Sequence, residues 1–195
     1  KLAQELSVSN AAITDMAKKL SQNGLINYEK YKGIELTEEG EKIALRVIRR
    51  HRLWELFLIK VLDIPWSKVH EQAEVLEHHT SEYLIDKIDE FLEYPEFDPH
   101  GHPIPKKDGS IPEVPKLVRL SETSENIIYK LIQVDDKDSE LINYLSKVGF
   151  VLFTEFEVIH KLDFDKSVTI KFENTTLSLS KKISESVFVN EILKV

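Results

Sequence analysis

The sequence contains no cysteine among its 195 residues. That excludes a disulfide framework, a zinc ribbon and a thiol nucleophile. No apolar run approaches the roughly 20 residues that a membrane helix needs, and no signal-peptide pattern opens the chain. A cytoplasmic protein with no membrane partner is therefore expected. Also missing are a Gly-rich phosphate loop, a nucleophile elbow and any plausible triad order, which argues against an enzyme. An initiating methionine is lacking too: Lys1-Leu2-Ala3-Gln4-Glu5-Leu6 reads as the inside of a helix, so upstream residues are expected.

What is present can fill and clothe a core: 42% of residues are hydrophobic and 31% charged. The net charge of -8 argues against a nucleic-acid partner only if it is spread evenly. It is not. Residues 1–62 hold 11 Lys/Arg against 8 Asp/Glu, a balance of +3, and the remainder holds 15 against 26, a balance of -11. A basic working end on an acidic body is the pattern.

Local signals divide the chain. A short helix over 2–6, a turn at Ser7-Val8-Ser9 and a second helix to about Gln22 form a helix-turn-helix, with Ser9 as N-cap and Gly24 as C-terminal stop. Ile13, Met16, Ala17 and Leu20 are spaced for one buried face. Leu25–Tyr28 and Ile34–Leu36 read as strands of a hairpin whose tip carries Lys30 and Lys32, suited to phosphates. Thr37 caps a long helix to about Leu62, with Glu38 and Glu39 at the positive end of its dipole. Asp63-Ile64-Pro65 interrupts it. A helix is expected over Trp66–His79, then another carrying Leu84, Ile85, Ile88, Phe91 and Leu92 as a stripe fit for a dimer surface or an internal core. Residues 94–118 hold six of the seven prolines and read as linker or irregular loop. Beyond it, strands near 127–132, 155–159, 168–172, 176–179 and 187–192, with a helix over 139–147, suggest a small barrel.

The chemistry gathers on two helices. His70, Glu74, Glu77 and His78 fall at i, i+4, i+7 and i+8 and share one helical stripe. Val69, Ala73 and Leu76 form the stripe beside them. His51 and Glu55 stand at i and i+4 on the preceding helix. If these helices pack antiparallel, three carboxylates and three imidazoles converge. Nitrogen and oxygen donors without sulfur suit Mn(II), Fe(II) or Zn(II). His70-Glu71-Gln72-Ala73-Glu74 matches half of the zinc-protease motif, but Glu74 occupies the place of the second histidine.

Four segments carry a resemblance to a known family: Leu-Ser-Val-Ser-Asn-Ala-Ala-Ile-Thr-Asp-Met at 6–16, Arg-His-Arg-Leu-Trp-Glu at 50–55, Lys-Val-His-Glu-Gln-Ala-Glu-Val-Leu-Glu-His-His at 68–79 and Asp-Pro-His-Gly-His-Pro-Ile-Pro at 98–105. The chain resembles the diphtheria toxin repressor / manganese transport regulator family of iron- and manganese-dependent repressors. The resemblance implies a mainly α fold with small β parts: a winged helix-turn-helix over 1–44, lacking its first helix, a helical metal-binding and dimerisation domain over 45–112, a linker over 113–121 and a C-terminal SH3-like small β-barrel over 122–195. It implies a homodimer on double-stranded operator DNA, activated by Mn(II) or Fe(II), with Zn(II) able to bind in vitro. His51, Glu74, Glu77 and His78 match a regulatory metal site, and Glu55 and His70 match an ancillary site with His51, to which Gln133 and Asp136 are aligned. Glutamate at position 74 is the manganese-type residue. Ser9, Asn10, Ala11, Thr14, Asp15 and Lys18 would face the groove, with Lys30 and Lys32 on phosphates. The competing expectation is a metal-storing or metal-dependent hydrolytic protein whose winged helix does not bind DNA.

Overall fold

The computed structural model describes residues 2–6, 8–29, 33–136 and 138–192. α1 (Leu2–Glu5) and α2 (Asn10–Gln22) are followed by a hairpin of β1 (Ile26–Glu29) and β2 (Gly33–Leu36). Ser9 caps α2, its Oγ accepting from Ala12 N at 3.1 Å, and the hairpin pairs Ile26 with Leu36 through Glu29 with Gly33. Ala17 is buried, but Met16, placed by spacing on the same inner face, is exposed. The expected tip lysines, Lys30 and Lys32, lie outside the described residues.

Thr37 joins this head to α3 (Glu38–Leu62). Its hydroxyl donates to Gly24 O at 2.7 Å and accepts from Gly40 N at 3.1 Å, capping the helix while tying it to the end of α2. A Cβ on Gly40 would stand 1.9 Å from Leu25 O, so only glycine permits α3 to approach the hairpin this closely. The 25 residues of α3 rise roughly 37 Å, from the wing to the far side of the helical region. Asp63, in left-handed conformation at φ 54°, ends the helix before Pro65.

α4 (Val69–Glu77) and α5 (Glu82–Phe91) pack on α3. The expected helix over Trp66–His79 is shorter, because residues 66–68 form a turn after Pro65. Val69 and Ala73 bury against Leu58 of α3. Ile85, Ile88 and Leu92 bury against Leu53, Leu56 and Ile104. The single stripe read on α5 is thus two faces: Ile85, Ile88 and Leu92 close an internal core, and Leu84 and Phe91 remain exposed with Tyr83. Ile88 is not on the exposed surface.

The Pro-rich stretch is not a loose linker throughout. Phe97 bridges Pro103, and Asp98, His100 and Ile104 are buried. The linker expected over 113–121 also ends early, since β3 (Val118–Arg119) pairs with β8 and Leu120 is fully buried. The remaining elements are a 3₁₀ turn (Leu120–Glu122), β4 (Ile128–Val134), α6 (Ser139–Lys147), β5 (Glu155–Lys161), β6 (Val168–Phe172), β7 (Thr175–Leu179), α7 (Lys181–Glu185) and β8 (Val187–Glu191). All pairings are antiparallel, in the order β3-β8-β4-β5-β6-β7, around a core that includes Leu131, Phe150, Phe156 and Ile170. This is the small SH3-like β module. α7 and β3 gave no periodic signal, being five and two residues long. Among the described residues no helix is long and apolar enough to cross a membrane.

Candidate metal centre and nucleic-acid interface

The antiparallel approach of α3 and α4 places one imidazole between two carboxylates. His51 Nε2 lies 3.0 Å from Glu55 Oε1 and 3.1 Å from His70 Nδ1, while its Nδ1 lies 2.8 Å from Glu77 Oε2. His70 Nδ1 stands 3.1 Å from the same oxygen of Glu55. Glu55 is fully buried and Glu77 nearly so, carried on turns whose other faces bear Leu53, Leu56, Leu58 and Ala73. The apolar stripe beside the polar one is what draws the carboxylates inward.

Charge follows from this packing. Burial disfavours a protonated His51, but hydrogen bonds and charge from Glu55 and Glu77 outweigh it and raise its pKa to about 9. Burial likewise pushes Glu55 up, and the imidazoles of His100, His51 and His70 around it hold it well below the usual carboxylate range. His70 is raised by its hydrogen bond to Glu55, against burial and the neighbouring His51. Without a metal, protons on the imidazoles balance the buried carboxylates.

Of the candidate ligands, His51, Glu55 and His70 come together with donor atoms all within 4.8 Å. Glu77 joins through His51. His78, at the C-terminal end of α4, is exposed, with Nε2 3.6 Å from Glu77 Oε1, and exposed Glu74 stands 3.8 Å from His70 Nε2. The two are therefore beside the cluster, not inside it. Asp136, in the loop after β4, falls within 4.8 Å of Glu55 and His100, and 3.7 Å from His102 Nδ1. Gln133 is half-buried at the irregularity in β4 and makes no hydrogen bond to the cluster among the described residues.

His100 and His102 were the omission. They stand in the quoted 98–105 segment but at i and i+2 in a proline-rich turn, a spacing without helical or strand meaning. Asp98 Oδ1 accepts from the backbone of His100 at 2.8 Å and His102 at 2.9 Å, and this Asx-type turn holds the His100 ring beside Glu55 and the His102 ring beside Asp136. The signal available was an aspartate two residues before a histidine pair.

On the head, Ser9, the N-cap of α2, and Asn10, Ala11, Asp15 and Lys18 of that helix are exposed, and Thr14 is half-buried with its hydroxyl donating to Asn10 O at 2.9 Å. The Ser9 side chain is engaged as cap. These groups form a polar helix face beside a wing, the shape that enters a major groove.

A winged helix carried on the same continuous helix as a buried, sulfur-free cluster of imidazoles and carboxylates is the architecture of a metal-dependent transcriptional regulator. Three family models match in chain order: the N-terminal DNA binding domain of iron dependent repressors over residues 1–34, the iron dependent repressor metal binding and dimerisation domain over 37–106, and the FeoA domain over 118–191. Over 163 residues the chain is 30% identical to the iron-dependent repressor IdeR of Mycobacterium leprae (strain TN), covering 77% of this chain and 70% of that protein. It is 37% identical over 98 residues to the HTH-type transcriptional regulator MntR of Lysinibacillus sphaericus (strain C3-41), covering 50% of this chain and 70% of the relative. A solved manganese-dependent transcriptional repressor in complex with manganese matches with a TM-score of 0.90 at 30% identity, covering 98% of this chain and 89% of that one. The chain belongs to the diphtheria toxin repressor / manganese transport regulator family of iron- and manganese-dependent transcriptional repressors.

Proposed function

We propose that this chain represses metal-homeostasis genes in the cytoplasm as a homodimer on double-stranded operator DNA, activated by Mn(II) or Fe(II). The observation that carries the reading is the position of His51. Its two ring nitrogens face Glu55 and His70 on one side and Glu77 on the other, on the helix that begins at the wing.

The donor set fits a divalent cation. Nitrogen and oxygen atoms are buried at ligand spacing, and among the described residues Glu55 Oε2 has no hydrogen-bond partner. His51, Glu77 and His78 with Glu74 would hold a regulatory ion, and His51, Glu55 and His70 with Asp136 an ancillary one. Gln133 is a weaker candidate for the same ancillary position. Glu74 and His78 are exposed and stand next to His70 and Glu77. A bound cation supplies the positive charge that protons otherwise provide. The residues then do the rest: Glu55 and His51 anchor the cluster to α3, Glu77 and His78 anchor it to α4, and the hold between the two helices fixes the direction of the DNA-binding head.

On the DNA, Asn10, Ala11, Thr14, Asp15 and Lys18 with Ser9 are proposed to meet base edges and phosphates, and Lys30 and Lys32 to neutralise phosphates at the wing. The exposed face of Tyr83, Leu84 and Phe91 on α5 is the proposed homodimer surface, because a two-fold operator requires a two-fold protein. The test is a gel shift on duplexes selected from random sequence by the metal-loaded protein. Retardation should appear with Mn(II) or Fe(II) and vanish with chelator; retardation that ignores metal would remove the reading.

A further inference from the structure

Two cavities adjoin on the other side of the helical region from the metal cluster's ligands. The first, of about 730 Å³, lies between α5 and residues 94–108. Buried Ile104, Pro95, Pro105 and the 68% exposed ring of Tyr94 are on its lining. The second, of about 580 Å³, lies between the first half of α3 and residues 106–109. Arg49, Lys106, Lys107 and Asp108 line both. Each volume falls within the roughly 300–1,000 Å³ of small-molecule sites.

The shared wall is held in place. Gly109 N donates to Lys106 O at 2.9 Å and Lys106 N to Ser110 O at 2.8 Å, closing the turn. Lys107 ties that turn to Asp86 of α5 at 2.6 Å. Arg49, its side chain 5% exposed, donates through Nη2 to Asp86 and Asp89, and its buried Nε has no hydrogen-bond partner among the described residues.

Charge distinguishes the two spaces. In the second, five basic side chains meet three acidic ones, and two of the acids are already engaged, Glu82 by Arg50 at 3.1 Å and Asp108 by Ser110. Arg46 from α3 and Lys106 from the turn line the same cavity, and among the described residues neither side chain has an ion pair or hydrogen bond. Like charges sharing a cavity repel, and an anion between them turns that repulsion into attraction. In the first cavity the unpaired side chain is an acceptor, Glu96, beside an aromatic ring and two prolines.

We propose that the joined cavities bind a nucleoside monophosphate whose base carries an exocyclic amine. The phosphate lies among Arg46, Lys106 and Arg49, since guanidinium and ammonium groups bind phosphate oxygens through charge-assisted hydrogen bonds. The base stacks on Tyr94 and donates its amine to Glu96. The phosphate cavity borders α3 between Gly40, wedged under the hairpin, and His51 of the metal cluster. A bound nucleotide therefore ties that stretch of helix to the turn held on α5. Tyr83 of the proposed dimer surface also lines the first cavity, so occupancy adjoins the dimer as well.

Calorimetric titration of the full chain with AMP, in chelator so that no metal bridges the phosphate, tests the proposal apart from the metal-dependent function. AMP should bind at one per chain. IMP, with a carbonyl in place of the amine, and adenosine, without the phosphate, should each bind roughly tenfold or more weakly. Arg46→Ala combined with Lys106→Ala, both exposed positions, should weaken AMP by the same factor and leave adenosine unchanged. Failure of AMP, GMP and CMP alike to bind at millimolar concentration overturns the proposal, as does AMP binding that the double variant does not weaken. Inorganic phosphate binding as tightly as AMP would mean an anion site without a nucleoside and overturns it too. So does a double variant that flattens the salt dependence of operator binding while AMP fails to bind, because the basic cavity then takes the backbone phosphate of DNA.

Discussion

One imidazole, that of His51, is where metal, proton and helix packing meet. Its pKa in the metal-free fold is raised to about 9, so its ion pairs with Glu55 and Glu77 stabilise the fold fully below its ordinary pKa of 6.5. That stabilisation is lost as pH rises through about 9. Glu55 is depressed; its contribution is present above 4.5 and is lost as pH falls toward its lowered value. Urea midpoints of the metal-free protein should therefore decline from pH 6 to pH 9.5, and His51→Gln should flatten that decline. A cation must displace the proton, so calorimetry at pH 7 in buffers of different ionisation enthalpy should show about one proton released per ion at His51; none released contradicts the geometry. Glu74→Cys tests the choice of metal. Replacing a hard oxygen donor by thiolate should move the activation preference away from Mn(II) by roughly tenfold or more, measured as operator affinity against free Mn(II) and Fe(II) without oxygen. Spacing alone exposed His51, Glu55 and His70, because i and i+4 on facing helices is a local rule. It could not expose His100, whose placement depends on an Asx turn, a glycine against Ile132 O and the stacking face of Trp66.

Helices with two apolar faces are where sequence pattern misleads. Leu84, Ile85, Ile88, Phe91 and Leu92 read as one stripe, but α5 packs Ile85, Ile88 and Leu92 inward on Leu53 and Leu56 and leaves Phe91 64% exposed. Periodicity reports apolar residues, not which neighbour covers them. The two faces give opposite expectations. Ile88→Ala should lower the stability of the chain by about 2–5 kcal/mol through the cavity it leaves, read as an earlier denaturant midpoint. Phe91→Glu should leave that midpoint unchanged and dissociate the dimer, read by sedimentation. A dimeric Phe91→Glu protein would place the proposed interface elsewhere. β3 and α7 escaped the sequence for a simpler reason: elements of two and five residues are too short to carry a period, whereas α6 and β6 have the bounds expected from the sequence, 139–147 and 168–172.

Across the whole molecule, α3 is the mechanical link. Its first turn is wedged under the hairpin at Gly40, its middle bears His51 and Glu55, and buried Arg49 bonds Asp86 and Asp89 of α5 at 3.1 and 2.7 Å. Gly40→Ala would force a methyl group into Leu25 O. It should cost about 1–3 kcal/mol and weaken DNA binding at least tenfold while metal affinity stays at the parent value; a parallel loss of metal affinity would show that the head and the metal cluster are not separable. The charge asymmetry of the sequence agrees with this layout, the basic excess lying on the head and its helix. The most direct test of the account is fluorescence anisotropy of a selected palindromic duplex titrated with Mn(II), the parent chain beside His51→Ala. The account predicts that Mn(II) strengthens DNA binding by the parent at least tenfold while His51→Ala stays at the metal-free level. Equal responses from the two proteins, or full binding by the parent in chelator, would contradict it.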